Sequence, residues 1–428
     1  MSDSITQPPT TGYFALIRTN RNFRNLWLGQ IVSLLGDWFN LIASAALISQ
    51  LSGSGSAIGV LFIIRMLAPF LISPLAGVWA DRYDRRNLLI LTDILRAITL
   101  FGFLLVSEPQ HLWLLYALTA FQLALSGVFF PTRTALLPDI VSERELGAAN
   151  ALSATTWSVM LAFGAALGGV SVGIWGIYPS FIIDGFTFFL SAVFIFRIKD
   201  YRKDTSPDEV ASLTASLRQY LDGLRYLKAN LDILVITSLK SASSLITSGP
   251  FLVIQVVIAE QIFAIGEGSG ISLGWMFAAV GVGTGIGPIF ARRFTGDRPR
   301  PLRKAIALSY LISSVGLIMI AAMPNFGFVL FGTLIRGVGI GINWVFSTQL
   351  LLQLVPERVR GRVFSTEFAF LSLMSAAGAA IGGWGLDNTE LGPAGMLWWM
   401  SALTLLPGLL WLFWVIKGKQ AEAPERTQ

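Results

Sequence analysis

Long apolar stretches recur along the whole chain, separated by polar segments that are mostly short. A helix needs roughly 20 predominantly apolar residues to cross the hydrocarbon layer of a bilayer. By this criterion we predict an all-α integral membrane protein with twelve transmembrane helices. The predicted spans are residues 25–48, 57–80, 87–106, 112–137, 148–175, 178–198, 231–259, 270–291, 303–323, 326–354, 364–386 and 394–416.

The second six spans repeat features of the first six. Residues 164–169 in span 5 read GAALGG, and residues 378–383 in span 11 read GAAIGG, 214 residues later. Paired six-helix halves commonly rock against each other around a cavity at the membrane midplane. We therefore predict two pseudo-symmetric bundles. The predicted divisions are a cytoplasmic N-terminus 1–24, an N-terminal bundle 25–198, a linker 199–230, a C-terminal bundle 231–416 and a cytoplasmic tail 417–428.

The linker is the longest polar segment between spans. It carries leucines at helical spacing with charged residues among them: Leu213, Leu217, Leu221, Leu224 and Leu227. Such spacing predicts an amphipathic helix on the cytoplasmic face of the membrane. Its simplest role is to tie the two halves together, and a regulatory role is the alternative.

Charge adds an orientation to this topology. The chain is 54% apolar and only 13% charged, against about 25% charged residues in soluble domains. None of its 31 lysines and arginines falls in a segment predicted to face outward. Because basic loops stay on the cytoplasmic side, we predict a multi-pass protein of the plasma (inner) membrane with both termini cytoplasmic. The net charge of +6 follows from this topology, so we expect no nucleic-acid partner.

Residue types exclude several kinds of chemistry. The chain has no cysteine and a single histidine, His111, in a short outer loop. Disulfides, thiolate metal sites and histidine-based metal sites are therefore excluded. The sequence also shows no nucleophile–base arrangement and no phosphate-binding loop. We expect no catalytic residues, no metal and no cofactor, and hence no enzyme.

The segment between spans 2 and 3 carries a recognisable motif. Residues 77–86 read GVWADRYDRR, which resembles the Gly-x-x-x-Asp-Arg-x-Gly-Arg-Arg signature of the major facilitator superfamily. Residues 92–97, 137–141, 147–152 and 355–364 resemble one branch of it, which contains enterobactin exporters and macrolide-type efflux proteins. The resemblance runs from about residue 21 to residue 416. It implies the major facilitator fold and transport.

The resemblance also assigns a role to the motif. Gly77 lets two helices approach, and Asp81 with Arg82, Arg85 and Arg86 latches the halves at the cytoplasmic end. Glu367, near the start of span 11, is the predicted partner of these arginines.

Two positions in this sequence depart from the family pattern. Asp84 replaces the second glycine of the motif, which predicts a less tight turn. Ala165 follows Gly164 where antiporters usually have proline, so the kink that proline gives is not expected.

Four basic residues lie well inside the spans, away from the span ends: Arg65, Arg96, Lys240 and Arg336. A charge at mid-bilayer is costly, so it should face a cavity or a partner. Asp37 and Arg65 lie about 20 and 22 Å above the cytoplasmic ends of their spans, from the helical rise. We predict that they pair and that Asp37 carries the coupled proton, with Arg65 tuning it. The alternative is a permanent ion pair that braces two helices.

Other intramembrane polar residues are candidates for the substrate cavity. Lys240 stands among serines, which indicates a cavity-facing stripe; the alternative is a side chain that extends toward the interface. Arg336 lies in the outer half of span 10, and Gln122 occupies the equivalent position 214 residues earlier. Trp38 is a candidate pocket residue. Asp184 is predicted to cap span 6 near the outer surface.

We therefore predict a secondary active transporter that exports a small organic molecule, such as a drug-like compound, siderophore or metabolite, by proton-coupled alternating access. Its expected partners are this substrate, protons and membrane lipids, and we expect a monomer. The alternative is an uncoupled facilitator or a lysophospholipid-type flippase of the same fold. A non-transporting sensor is a third class, which no appended domain supports.

Overall fold

A computed structural model of the protein describes residues 12–199, 201, 222–296 and 298–417. This part of the chain contains twelve helices long and apolar enough to cross a membrane, which confirms the predicted fold class. Ten of them are continuous α-helices: α1 Arg21–Ser52, α2 Gly55–Arg82, α3 Arg85–Gly102, α4 Leu112–Ile140, α6 Ile177–Phe196, α8 Gly270–Thr295, α9 Pro299–Ala322, α10 Phe326–Leu354, α11 Glu357–Asn388 and α12 Gly392–Ile416. A short helix, Tyr13–Thr19, precedes α1.

The other two membrane helices contain π-helical stretches. Helix α5 begins as Glu143–Val159, passes through the π-helical Met160–Gly164 and ends as Ala165–Trp175. Helix α7 runs through Leu231–Ser243, a π-helical Ser244–Ser248, Gly249–Val257 and a second π-helical stretch, Ile258–Ile262. Helix α5 lacks the proline of the family pattern. It is still irregular at the same place, because a π-helical stretch ends at Gly164.

The helices form two six-helix halves that meet along two pairs. Within the halves, α1 packs on α6, α2 on α4, α9 on α10 and α7 on α11; between the halves, α2 packs on α11 and α5 on α8. Glycines permit the close approach between halves. A Cβ at Gly169 of α5 would lie 2.4 Å from the carbonyl oxygen of Gly270 in α8. No side chain larger than hydrogen fits there without a shift of one helix.

The two halves diverge toward one end of the molecule. We call the end at which α1 begins and α12 ends the basic end, because it carries the 77–86 loop. On the face of α8 toward α5, a Cβ at Gly281 would lie 2.9 Å from Ala162, but one at Gly285, a turn later, would meet nothing within 4 Å. Counted from the opposite end, contact between α5 and α8 therefore stops about halfway along the two helices.

At the opposite end, one carboxylate joins the two halves. Asp387, at the end of α11, accepts hydrogen bonds from the Ser54 hydroxyl at 2.7 Å and from the backbone N–H groups of Gly55 and Ser56 at 2.7 and 2.9 Å. These groups form the N-terminus of α2, where unpaired N–H groups and the helix dipole favour an anion. We call this contact the Asp387 cap. It holds α2 against α11 where the halves are closed.

Most of the predicted linker helix lies outside the described residues, including Leu213, Leu217 and Leu221. Residues 222–229 are helical, and Leu227 is buried in the core that also contains Val363 of α11. Asp222 lies 3.5 Å from Arg362. The end of the linker therefore packs on the second half.

Candidate functional site

A cavity lies between the halves, and its larger chamber is mainly apolar. This chamber has a volume of about 640 Å³. It is lined by aromatic side chains from α1, α4, α5 and α11 together with two charged ones: Trp38, Phe130, Trp157, Phe368, Asp37 and Arg65. We call it the aromatic chamber. The structure therefore places Trp38, Asp37 and Arg65, which were selected from the sequence, around one space.

A smaller chamber of about 330 Å³ adjoins it on the side of the second half. Its wall is rich in hydrogen-bonding groups, which come mainly from α7 and α10: Lys240, Ser243, Ser244, Ser248 and Asn343. We call it the polar chamber. Arg65, Pro69 and Phe368 line both chambers, so the two are parts of one cavity.

Asp37 is the carboxylate that faces the aromatic chamber, with 26% of its side chain exposed. Its Oδ1 lies 2.6 Å from a terminal nitrogen of Arg96 on α3. The predicted contact with Arg65 is wrong, because Arg96 takes this place and Arg65 lines the cavity. Matched depth fixed the height of Asp37 in the membrane, but it did not fix which neighbouring helix its side chain faces.

Arg96 links several groups behind the cavity wall. Its side chain is 2% exposed and lies 3.5 Å from Asp93, one turn earlier on α3. The guanidinium also lies over the ring of Phe188 of α6, 3.8 Å from the ring centroid. Asp93 and Arg96, one turn apart on α3, thus form a pair that Asp37 joins.

Lys240 and Glu367 form a buried ion pair at the polar chamber. Lys240 Nζ lies 2.9 Å from Glu367 Oε1, and their side chains are 5% and 6% exposed. Lys240 also donates a hydrogen bond to the Thr348 hydroxyl at 2.6 Å. The predicted partnership of Glu367 with the arginines of the 77–86 motif is wrong. Glu367 stands ten residues into α11, about 15 Å along the helix, and faces α7 instead.

The arginines of the motif act within the first half. Arg85 lies 2.8 Å from Asp139 and 3.1 Å from the carbonyl oxygen of Ala135, both on α4. Arg86 donates to the Ile195 carbonyl at the end of α6. Arg82 is exposed, with its guanidinium 6.0 Å from the Tyr83 ring centroid. The Asp81 side chain and the surroundings of Gly77 lie outside the described residues, so the latch stays a prediction.

Asp84 has a local role that explains its place in the motif. Its carboxylate accepts a hydrogen bond from the Asn87 N–H at 3.0 Å and caps the N-terminus of α3. It also accepts one from the Tyr201 hydroxyl at 2.5 Å. Burial and this bond to Asp84 raise the pKa of Tyr201. Where the family pattern has glycine, this chain therefore has a carboxylate that caps a helix.

Gln122 and Arg336 do not line either chamber. Both are 2% exposed. Arg336 points a terminal nitrogen at the Thr247 carbonyl, at 3.3 Å, and lies 3.9 Å from the centroid of the Phe251 ring. Gln122 faces Asp184 of α6. Both were predicted to face the substrate cavity, and the structure places neither among the residues that line the two chambers.

Sequence reasoning misplaced one other polar residue and did not select another. Asp184 is the eighth residue of α6 and is fully buried, so it does not cap this helix. Arg133 is a further basic residue inside a predicted span, and its side chain is buried in α4. It donates to the Ser153 hydroxyl at 2.9 Å and to the side chain of Gln30. Its place within the predicted span 112–137 was the signal that could have selected it.

Known proteins share this architecture. The chain is 28% identical to the uncharacterized MFS-type transporter YfiS of Bacillus subtilis (strain 168), over 86% of this chain and 87% of that protein. It is 23% identical to the provisionally assigned bacilysin exporter BacE of Bacillus amyloliquefaciens, over 84% and 88% of the two chains. With macrolide efflux protein A of Streptococcus pyogenes the identity is 21%, over 83% and 87%.

A solved structure shows the same fold. It is a bacterial homologue of the human lysosomal transporter Spinster in an inward-facing, unoccupied conformation, with a TM-score of 0.72 and 16% identity, covering 94% of this chain and 98% of that chain. The profile of the Major Facilitator Superfamily matches residues 26–267 and 242–428. The chain therefore belongs to the major facilitator superfamily of transporters.

Proposed function

We propose that the chain exports a small amphipathic organic molecule by alternating access driven by proton entry. The main support is one cavity between halves that diverge toward the basic end and are joined at the opposite end by the Asp387 cap and by α5 on α8. If the basic end faces the cytoplasm, as the loop charges predict, this arrangement is the inward-open state. Relatives named for bacilysin export and macrolide efflux support the outward direction.

The two chambers suit a substrate with an apolar part and a hydrogen-bonding part. Trp38, Trp157 and Phe368 offer ring faces in the aromatic chamber. The serines and Asn343 offer hydroxyl and amide groups in the polar chamber. Small-molecule sites combine such apolar walls with a few polar groups that orient the ligand. Lys240 also lines the polar chamber, where it is paired with Glu367.

Asp37 is the proposed entry point for the coupled proton, since it is the carboxylate that the aromatic chamber exposes. Protonation removes its charge and ends its ion pair with Arg96. A change in that pair alters the contact between α1 and α3, which links proton binding to the position of helices at the cavity. Arg65 lines both chambers, so its guanidinium also experiences the change of charge at Asp37.

Reconstitution of the purified full-length protein tests this function. Proteoliposomes are loaded with a panel of metabolites, siderophores and drugs, and efflux is measured with and without an imposed pH gradient. We expect gradient-dependent efflux of at least one compound, its loss in Asp37→Asn and its retention in the surface control Asp222→Asn. Gradient-driven efflux that survives Asp37→Asn removes Asp37 from this role.

The same assay separates the alternative function. Flux that ignores the pH gradient for every compound indicates an uncoupled facilitator. Lysophospholipid-containing vesicles provide a further arm, because a flippase changes the leaflet of the lipid and leaves the contents of the lumen unchanged.

A further inference from the structure

We propose that Asp184, with Gln122 as its hydrogen-bond partner, is the site that holds the coupled proton in the state described. Asp37 then serves as its access point from the cavity. This inference rests on the proposed proton-coupled function and places the proton on a residue that does not face the substrate space.

Asp184 lies in a closely packed contact between α6 and α1. Its side chain is fully buried. Its Oδ1 would lie 2.1 Å from a Cβ at Gly36, so only glycine leaves room for this carboxylate. The Thr187 hydroxyl lies 3.2 Å from the same oxygen and 2.7 Å from the backbone carbonyl of Asp184. One hydroxyl proton thus serves two acceptors.

The second carboxylate oxygen of Asp184 and the amide oxygen of Gln122 both lack a partner. Among the described residues, neither Oδ2 of Asp184 nor Oε1 of Gln122 has a hydrogen-bond partner, and both atoms are buried. The amide of Gln122 on α4 faces the Asp184 carboxylate on α6 as a hydrogen-bond donor. A carboxylate accepts only, whereas a carboxylic acid also has an O–H to donate. With a proton on Oδ2, rotation of the Gln122 amide brings its oxygen to this O–H, and both atoms then have a partner.

Gln122 suits both protonation states of Asp184. When the acid is neutral, its O–H donates to the amide oxygen. When the proton leaves, rotation of the amide brings its NH₂ group toward the carboxylate, because the amide carries acceptor and donor on one carbon. Gln122 is therefore a positioning residue, and its oxygen and nitrogen exchange roles as the proton binds and leaves.

The charged groups around Asp184 leave one negative charge unmatched. The carboxylates are Asp37 on α1, Asp93 on α3 and Asp184 itself. Opposite them stand Arg96 on α3 and Arg65 on α2. Three carboxylates and two guanidiniums are balanced by one proton, and an unmatched buried charge is costly.

Arg133 does not supply the missing positive charge to this cluster. Its side chain donates to the neutral side chains of Gln30 and Ser153, and it forms no ion pair among the described residues. Asp93 and Asp37 both contact Arg96. Of the three carboxylates, Asp184 is the one with no arginine within ion-pair distance among the described residues, so it is the favoured holder of the proton.

The proton has a short route to this site. Asp37 is exposed to the aromatic chamber, and the adjoining residue, Gly36, contacts Asp184. A proton taken from cavity water by Asp37 passes to Oδ2 of Asp184, and Asp37 returns to its charged pair with Arg96. No other bond changes, and release follows the same steps in reverse.

Infrared spectroscopy of the full-length protein in lipid tests the site without a substrate. During an acid–base titration, a protonated aspartate gives a carboxylic C=O band, which aspartate labelled with ¹³C at its side-chain carboxyl identifies by its isotope shift. We expect loss of this band in Asp184→Asn and its retention in the surface control Asp222→Asn, which leaves the charges of the buried cluster unchanged. A band that persists in Asp184→Asn, or no protonated aspartate in the unmodified protein, overturns the proposal.

Gln122→Leu provides a second test that leaves Asp184 in place. Without an amide acceptor, the O–H of Asp184 loses its hydrogen bond, so the C=O band should move to higher frequency. An unmoved band shows that Gln122 is not the partner and contradicts the site, even if Asp184→Asn fails to fold.

These readouts separate the inference from the proposed function. Gradient-independent flux together with the Asp184 band refutes proton coupling and leaves the proton site intact. Gradient-driven flux without an Asp184 band refutes the site and leaves the coupling intact.

Discussion

Lys240 and Glu367 depend on each other, because each is a buried charge matched by the other at 2.9 Å. Removing one partner of a buried ion pair typically costs about 3–5 kcal/mol, whereas replacing both by uncharged groups is often nearly neutral. We expect Lys240→Met and Glu367→Gln each to lower the melting temperature of the purified protein. The double variant should melt closer to the unmodified protein than either single one.

Thermal unfolding in one detergent measures all four proteins. Additive losses in the double variant contradict a paired role. Transport by the double variant then reports on the substrate role alone, separate from stability.

At this scale the sequence predicted which charged residues lie within the membrane helices better than it predicted their partners. Asp37, Lys240 and Glu367 were recognisable as charges in or near apolar spans. Hydrophobicity gives the height of a residue in the membrane, but the direction of its side chain depends on how helices rotate and pack. Asp37 therefore meets Arg96 and not Arg65.

Helix α2 is held at its N-terminus by the Asp387 cap, which crosses between the halves. A helix N-cap contributes roughly 0.5–2 kcal/mol, so its loss should raise the open population at the opposite end by roughly 2- to 30-fold. We expect Asp387→Ala to speed the labelling of a cysteine placed at Ala379, which is fully buried beside Gly59. A membrane-impermeant maleimide applied on the side of the opposite end measures the rate.

Glu390→Ala is the matched control for this variant, because it removes an exposed acid three residues away from Asp387. Equal labelling rates in Asp387→Ala and in the unmodified background mean that the cap does not hold the closed end.

Two glycines of the interface helices predict opposite results for the same substitution. Alanine in place of glycine favours a helix by about 1 kcal/mol. At Gly285 nothing lies within 4 Å of the new Cβ, so Gly285→Ala should raise the melting temperature. At Gly169 the Cβ would lie 2.4 Å from a backbone oxygen of α8, so Gly169→Ala should force α5 and α8 apart.

The Ala379 cysteine again reports the separation, through faster labelling in Gly169→Ala and an unchanged rate in Gly285→Ala. If both variants behave alike, the close approach of α5 to α8 does not set the closed state.

For the whole molecule, the twelve spans and two halves could be predicted because bilayer thickness fixes helix length and because the sequence repeats. The conformational state could not be predicted. It depends on which ends of α5 and α8 touch, and the same glycine stripe could pack along its whole length. The divergence after Gly281 appears only in the structure.

Access to the cavity should be one-sided. The chain has no cysteine, so one introduced at Met66, which lines the polar chamber, gives an unambiguous signal. In membrane vesicles of both orientations, we expect an impermeant maleimide to label Met66→Cys from the basic end and to label it poorly from the opposite end. Equal labelling from both sides contradicts a closed opposite end, and a transported compound should protect the cysteine.

The π-helical stretches have a consequence for how the cavity wall can change. Met160 and Leu161 in α5 line the aromatic chamber, while Ser244 and Ser248 in α7 line the polar chamber. Successive residues of a helix are offset by about 100° around its axis. Moving such a stretch along the helix by one residue turns the side chains it passes by about that angle. In each half, a one-residue shift of the π-helical stretch can therefore change which side chains face a bound molecule.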